Sequence, residues 1–126
     1  MSSTVQAPAG VLERADVFTE GELDSLPVGM IQLDPKGTVL KFNQAESDLA
    51  RVAKEDAIGK SFFDEVAPCT KVQEFYGLFL EGVAAKSLNT MFNYKFRFKD
   101  GRQEDVVISM FYSGSTETVW VLVQRP

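Results

Sequence analysis

An alternation of apolar and polar side chains over residues 91–99 is the clearest pattern in the chain. One face of this segment carries four aromatic side chains: Phe92, Tyr94, Phe96 and Phe98. A period of two residues is typical of a strand with one buried face. The Asp100-Gly101 pair that follows is a strong hairpin signal, and the apolar segments 105–112 and 118–124 predict two further strands.

Two more strands, earlier in the chain, are predicted to form a hairpin of their own. The apolar segments 28–34 and 38–43 flank a short connection that contains Pro35 and Gly37. Both residue types are typical of tight turns between strands.

The middle of the chain has helical composition. Phe75, Phe79 and Val83 lie four residues apart, which places them on one face of a helix. Pro68 interrupts the region, because proline lacks an amide donor and disfavours helix at the residue before it. The predicted elements are a helix over 43–57 that Gly59 closes, a short helix or turn over 61–66, a loop over 67–70 and a helix over 74–86.

The N-terminal stretch is polar and acidic. Residues 1–10 predict a disordered or loosely docked tail, and residues 11–26 predict one or two short amphipathic helices. Thr19 and Glu22 have the spacing of a capping box at the start of the second helix, and Pro27 ends the segment.

This order of elements predicts the fold class. The connections within each group of strands are too short for a parallel crossover, and only the helical middle could contain one. We therefore expect an α+β fold with a central five-stranded antiparallel sheet and helices on one face.

The counts of histidine and cysteine exclude most familiar enzyme chemistries. The 126 residues include no histidine and one cysteine, Cys69. Nucleophilic catalysis with a histidine base, histidine-ligated metal sites, an intramolecular disulfide and cysteine-built metal clusters are therefore excluded within one chain. What remains is carboxylate chemistry, lysine chemistry, or a lone thiol to which a group is attached.

The charge makes nucleic acid and anionic membranes poor partners. The net charge is −5, and the first 25 residues contribute −4 of it, from five acidic groups and one basic group. No apolar run approaches the length of a membrane span, and no secretory signal is recognisable, so we expect a cytoplasmic protein with a reduced thiol.

Four stretches of the sequence identify a family resemblance. They make the chain similar, over about residues 21–125, to the xanthopsins, a family of blue-light receptors with the PAS fold. The stretches are Asn43 with Ala45-Glu46, Ile58-Gly-Lys-Ser-Phe-Phe63 running into Val66-Ala-Pro-Cys-Thr70, Glu74-Phe-Tyr-Gly77 through to Leu88-Asn-Thr-Met-Phe92, and Val119-Trp-Val121. The resemblance implies an N-terminal helical cap over residues 1–26 and a PAS core with a chromophore pocket over residues 27–126.

The resemblance implies a covalent chromophore. Xanthopsins carry p-coumaric acid (4-hydroxycinnamic acid) as a thioester on the cysteine that corresponds to Cys69. Glu46 corresponds to the family's buried glutamic acid, which hydrogen-bonds the phenolic oxygen. Without the resemblance, a lone cysteine is more often a small buried hydrophobe and a helical glutamate is more often solvated.

Further pocket residues follow from the same correspondence, and three of them depart from the family. Phe42 replaces a tyrosine that donates a second hydrogen bond to the phenolic oxygen, and Ala50 replaces a threonine beside it. Val52 replaces an arginine that covers the pocket mouth, for which Arg51 could substitute unless it is a surface residue. The other implied pocket residues are Ile31, Phe62, Val66, Ala67, Pro68, Thr70 and Phe96.

Phe42 predicts an altered absorption spectrum. A hydrogen bond to a charged group contributes about 1.5–3 kcal/mol, so its loss raises the pKa of the phenol by roughly one to two units. We expect Glu46 still to hold a deprotonated chromophore in the dark, with an absorption band that is shifted or split.

The resemblance also implies a mechanism that involves no enzyme activity. Light isomerises the chromophore from trans to cis, Glu46 gives up its proton, and the acidic segment 1–26 loosens as the signal. Since the sequence ends at Pro126, directly after the last strand, we expect a separate downstream signalling protein as the partner, and a monomer or weak dimer.

Three other functions are less well supported by the sequence. A PAS-type ligand-binding or interaction module without this chromophore remains the main alternative, and it would stay colourless with activated p-coumarate. A flavin photosensor lacks its cysteine-containing helix motif here. A thiol enzyme would need a base beside Cys69, and the chain has no histidine.

Overall fold

A five-stranded antiparallel sheet forms the centre of the computed structural model, which describes residues 10–126. The spatial order of the strands is β2-β1-β5-β4-β3, and every neighbouring pair is antiparallel, as the sequence predicts. The strands are β1 (Gly29–Leu33), β2 (Val39–Phe42), β3 (Asn89–Arg97), β4 (Gln103–Ser113) and β5 (Thr118–Gln124).

The predicted hairpins at both ends of the chain are confirmed. β1 and β2 pair around a turn in which Gly37 has a φ of 87°, and β3 and β4 pair around a turn in which Gly101 has a φ of 92°. Glycine adopts this left-handed region without the steric cost that a side chain brings. The last strand, β5, pairs with both β1 and β4 and so joins the two hairpins into one sheet.

The helical middle is more broken than its composition predicts. The predicted helix over 43–57 is divided at Arg51, whose φ is 56°, and the helix over 74–86 begins with a π-turn. The predicted loop over 67–70 contains a short 3₁₀-helix. The elements are α3 (Gln44–Ala50), α4 (Lys54–Ala57), a π-turn (Phe62–Val66), a 3₁₀-helix (Pro68–Thr70), a second π-turn (Gln73–Gly77) and α5 (Leu78–Ala85).

The main hydrophobic core lies between the sheet and this helical middle, on what we call the inner face. Alternate residues of β1, β3, β4 and β5 point into it. Aromatic rings dominate its centre, where Phe62, Phe63, Phe75 and Phe79 are almost completely buried. Their ring centroids lie 5.0–6.0 Å apart in edge-on or tilted pairs, the separations at which aromatic rings attract one another.

The N-terminal segment covers the opposite, outer face of the sheet. Its helices, α1 (Val11–Arg14) and α2 (Glu20–Asp24), pack on Met30, Trp120 and Leu122. The expected antiparallel sheet with flanking helices is therefore confirmed, but the helices lie on both faces and not on one. The continuous apolar run of β5 reflects this, because a strand that is covered on both faces loses the alternation of a half-exposed one.

Asp16 ties the N-terminal segment to the outer face. Its carboxylate accepts hydrogen bonds from Trp120 Nε1 at 2.7 Å, from Thr116 Oγ1 at 3.2 Å and from Ser113 Oγ. The predicted capping box of Thr19 and Glu22 is present at the start of α2. The predicted tail, residues 1–10, lies outside the described residues except for Gly10.

None of the helices within residues 10–126 combines the length and the apolar character that crossing a membrane requires.

Asp16→Ala tests how firmly the segment is held. The change leaves the buried Trp120 N–H without its acceptor, which costs about 1–3 kcal/mol. We expect a lower urea midpoint and a red-shifted emission of Trp120, the only tryptophan in the chain. Glu13→Ala, at an exposed acidic residue of α1, is the control. Identical emission and denaturation curves for the two variants would contradict the role of Asp16.

Candidate functional site

A cavity of about 450 Å³ opens on the inner face, between the end of α3, the Phe62–Val66 π-turn, the 3₁₀-helix and the end of β3. Its size is typical of sites for small organic ligands. It brings together ten of the residues that the resemblance implied: Glu46, Ala50, Arg51, Val52, Phe62, Val66, Ala67, Pro68, Cys69 and Phe96.

Three of the implied residues do not line this cavity. Ile31 and Phe42 are buried in the hydrophobic core, and Phe42 lines a smaller cavity of about 160 Å³ beside α2 and α4. Thr70 is completely buried, and its hydroxyl donates to the backbone carbonyl of Ala67 at 2.6 Å. Thr70 therefore stabilises the turn that carries the cysteine.

The cavity also has lining residues that sequence reasoning missed. Phe98 continues the aromatic face of β3, so the alternation of residues 91–99 was a signal for it. The others are charged side chains, which resemble any solvated surface residue in the sequence: Asp56, Lys60, Glu65, Arg97, Lys99 and Asp100.

Cys69 is the middle residue of the 3₁₀-helix and is held against β3. The hydroxyl of Tyr94 donates to the backbone carbonyl of Cys69, and the backbone N–H of Arg97 donates to its Sγ at 3.5 Å. Burial raises the pKa of the Tyr94 phenol, which therefore keeps its proton and remains a donor. These contacts fix the position of the only thiol in the chain, which is partly exposed at the cavity.

Two π-turns flank the cysteine, one on each side. The first contributes Phe62 and Val66 to the cavity wall, and the second places Phe75 in the core behind it. A π-turn adds a residue to the helical ring and redirects the side chains, and such turns are frequent at functional sites.

Glu46 supplies a buried carboxyl group to the same cavity. The residue is 2% exposed, and its Oε1 has no hydrogen-bond partner among the described residues. The carboxyl lies against Gly29 so closely that a Cβ there would be 2.1 Å from Oε1. Desolvation by burial raises the pKa of Glu46 to about 8, so the group is mostly protonated at neutral pH.

Asn43 connects Glu46 to the N-terminal segment. Its Oδ1 accepts from the backbone N–H of Glu46 at 3.1 Å and from that of Met30 at 2.8 Å. Its Nδ2 donates to the carbonyls of Leu23, at 2.7 Å, and Val28, at 3.0 Å. One buried amide thus joins the start of α3, the central sheet and the end of α2.

The chemistry of the cavity is defined by these two groups. A fixed thiol can carry an acyl group as a thioester, and a protonated carboxyl without a partner can donate a hydrogen bond or a proton to a buried anion. Within residues 10–126, no cluster of acidic or cysteine side chains is arranged to hold a metal ion.

Comparisons with known proteins show the family of the chain. The family model described as PAS fold matches residues 18–126. The chain is 41% identical over 106 residues to the photoactive yellow protein of Rhodothalassium salexigens, with 84% of each chain covered. It is 41% identical over 108 residues to the protein of the same name from Halochromatium salexigens, with 86% of each covered.

Among solved structures, the chain is similar to the photoactive yellow protein domain of the sensor histidine kinase Ppr from Rhodospirillum centenum. The TM-score is 0.84 at 36% identity, and the alignment covers 90% of this chain and 98% of that domain. A PAS domain of an HTR-like protein from Haloarcula marismortui, at a TM-score of 0.64 and 16% identity, shares the fold. The chain belongs to the photoactive yellow protein family, within the PAS superfamily.

Proposed function

We propose that this protein is a blue-light photoreceptor that carries p-coumaric acid as a thioester on Cys69. The observation that carries the proposal is the cavity itself, which joins the only thiol of the chain to a buried, protonated carboxyl. Family membership supports the same function, because photoactive yellow proteins are photoreceptors and not enzymes.

The residues present suit this chromophore. Phe62, Val66 and Phe96 provide apolar walls for an aromatic ring, and Cys69 offers the sulfur for the thioester. Glu46 has an unpartnered oxygen that needs a polar atom beside it, which a phenolic oxygen would supply. When bound, the chromophore supplies a double bond that light isomerises from trans to cis.

Glu46 acts as the proton donor of the site. In the dark its burial keeps the proton on the carboxyl. A Glu46 that has lost its proton is a buried charge against Gly29 that forms no ion pair with any cation of the described residues, and such a charge costs several kcal/mol. The structure around α3 must loosen to let water or a counter-charge reach it.

Loosening at α3 reaches the N-terminal segment through Asn43. The side-chain oxygen of Asn43 accepts from the backbone N–H of Glu46, and its side-chain nitrogen donates to the carbonyl of Leu23 in α2. We therefore infer that residues 1–26 act as a cap that leaves the outer face of a PAS core, residues 27–126, when Glu46 is ionised. A separate signalling protein in the cytoplasm would then bind the changed surface of a monomer or weak dimer.

Loading tests the chromophore assignment directly. Incubation of the purified chain with p-coumaric anhydride is expected to produce a yellow protein whose intact mass increases by one p-coumaroyl group. Cys69→Ser is expected to remain colourless and unmodified. A wild-type chain that stays colourless under the same conditions would favour a PAS module that binds another ligand or a partner.

Glu46→Gln tests the buried carboxyl without any chromophore. Below about pH 4.5 the group is protonated in the folded and unfolded states alike. Between pH 4.5 and about 8 the unfolded chain releases the proton while the folded chain keeps it, so the free energy of unfolding falls as the pH rises.

We expect Glu46→Gln to lose this part of the pH dependence, as measured by urea denaturation at pH 5 and at pH 8. Glu55→Gln, at an exposed acidic residue of α4, should retain the wild-type dependence. Equal pH dependence in all three proteins would mean that Glu46 ionises normally.

Hydrogen exchange tests the release of the N-terminal segment. In the loaded protein, backbone amides of residues 10–26 are expected to exchange faster under continuous blue light than in the dark. The central strand β5 provides an internal control that should change little. Equal exchange of residues 10–26 in light and dark would refute the proposed signal.

A further inference from the structure

Arg102 lies just after the β3–β4 turn, and its side chain extends back to α3. Its Nη1 donates to the backbone carbonyl of Leu49 at 3.2 Å, and its Nε donates to Asp100 Oδ2 at 2.8 Å. The side chain is 22% exposed. Leu49 is in the last turn of α3, where backbone carbonyls lack helical partners and a cation is favourable.

The same guanidinium covers an aromatic wall of the cavity. Its central carbon lies 4.4 Å from the ring centroid of Phe98, within the range of a cation–π interaction. Phe98 stacks in turn on Phe96, with centroids 5.5 Å apart and ring planes 9° from parallel. Phe96 and Phe98 both line the cavity, whereas Arg102 does not. Arg102 therefore packs on the wall residue Phe98 from outside the cavity.

These contacts join two elements that line the cavity. Phe98 and Asp100 are on the turn side, and Ala50 and Arg51, directly after Leu49, are on the α3 side. The turn itself is held by backbone hydrogen bonds from Phe98 to Arg102 and from Gly101 to Phe98. The turn is therefore held together by its own hydrogen bonds, and Arg102 connects it to the end of α3.

We propose that Arg102 is a positioning residue that closes the cavity mouth by fastening residues 98–102 to the end of α3, and so limits the size of molecules that reach Cys69. The closure is a property of the chain without chromophore. The proposed function enters at one point: it identifies the natural occupant as an aromatic acyl group, which must pass this mouth to reach Cys69.

Arg102 fits this role better than Arg51, which the family resemblance indicated as the residue that could cover the pocket mouth. Arg51 is an exposed residue in the left-handed conformation that ends α3, and its charge acts on Asp100 across the opening. Arg102 makes directional bonds to both sides at once. A planar fork with several N–H donors permits this, whereas a lysine ammonium on a flexible stem does not reproduce it.

The test measures how fast Cys69 of the unloaded chain reacts with two thiol reagents of different size, iodoacetamide and fluorescein maleimide. Arg102→Gln is expected to speed the reaction with the bulky reagent about tenfold and the reaction with the small reagent much less. A tenfold change corresponds to about 1.4 kcal/mol, the size of one hydrogen bond to a charged group.

Two controls separate mouth closure from general effects. Arg125→Gln removes an exposed arginine elsewhere, and should react as the wild type does. Val11→Ala weakens the packing on the outer face, and should not change the ratio of the two rates even where it lowers the melting temperature. If Arg102→Gln does not fold, Arg102→Lys takes its place with the same expectation.

An unchanged rate ratio in the Arg102 variant, or the same ratio change in Val11→Ala, would overturn the proposal. Because no p-coumarate is used, this outcome is independent of the loading experiment. A chain that fails to bind the chromophore can still show the closure, and a chain that binds it can lack the closure.

Discussion

A buried carboxyl group with one unpartnered oxygen is the constraint on which the rest of this structure depends. Glu46 is almost completely buried, one of its oxygens has no partner among the described residues, and desolvation raises its pKa to about 8. The arrangement is stable while the proton stays on the group. Loss of the proton creates a buried charge that forms no ion pair. Deprotonation of Glu46 therefore lowers the stability of the fold around it.

Hydrogen bonds connect Glu46 on the inner face to the N-terminal segment on the outer face. Glu46 lies in the first turn of α3 on the inner face, and the residue that caps this helix, Asn43, also holds Leu23 on the outer face. Asp16, whose carboxylate accepts a hydrogen bond from Trp120 Nε1, holds another part of the N-terminal segment. Asp24 of α2 adds further contacts, because its carboxylate accepts from the backbone N–H of Gln44 and pairs with Lys54. Among these contacts, Asn43 is the one that also bonds the backbone N–H of Glu46.

The cavity combines residues with strong sequence signals and residues with none. Cys69 and Glu46 were expected from the family resemblance, whereas Phe98 was missed although the alternation of residues 91–99 was a signal for it. Arg102 had no signal, because a charged residue after an Asp-Gly turn is usually solvated. Its role depends on Leu49, which is 53 positions earlier in the chain, and that separation is beyond the reach of any local pattern.

The sequence by itself determined the elements, the antiparallel pairing and the family, because turns, periodicity and motifs are local properties of the chain. Only the tertiary structure decided that the N-terminal helices cover the second face, that α3 stops at Arg51, and that Phe42 lies outside the larger cavity. It also decided that Glu46 Oε1 has no hydrogen-bond partner among the described residues, and that Arg102 contacts Leu49, Asp100 and Phe98. Burial and long-range contacts are set by how distant segments pack together, and no window of neighbouring residues contains that information.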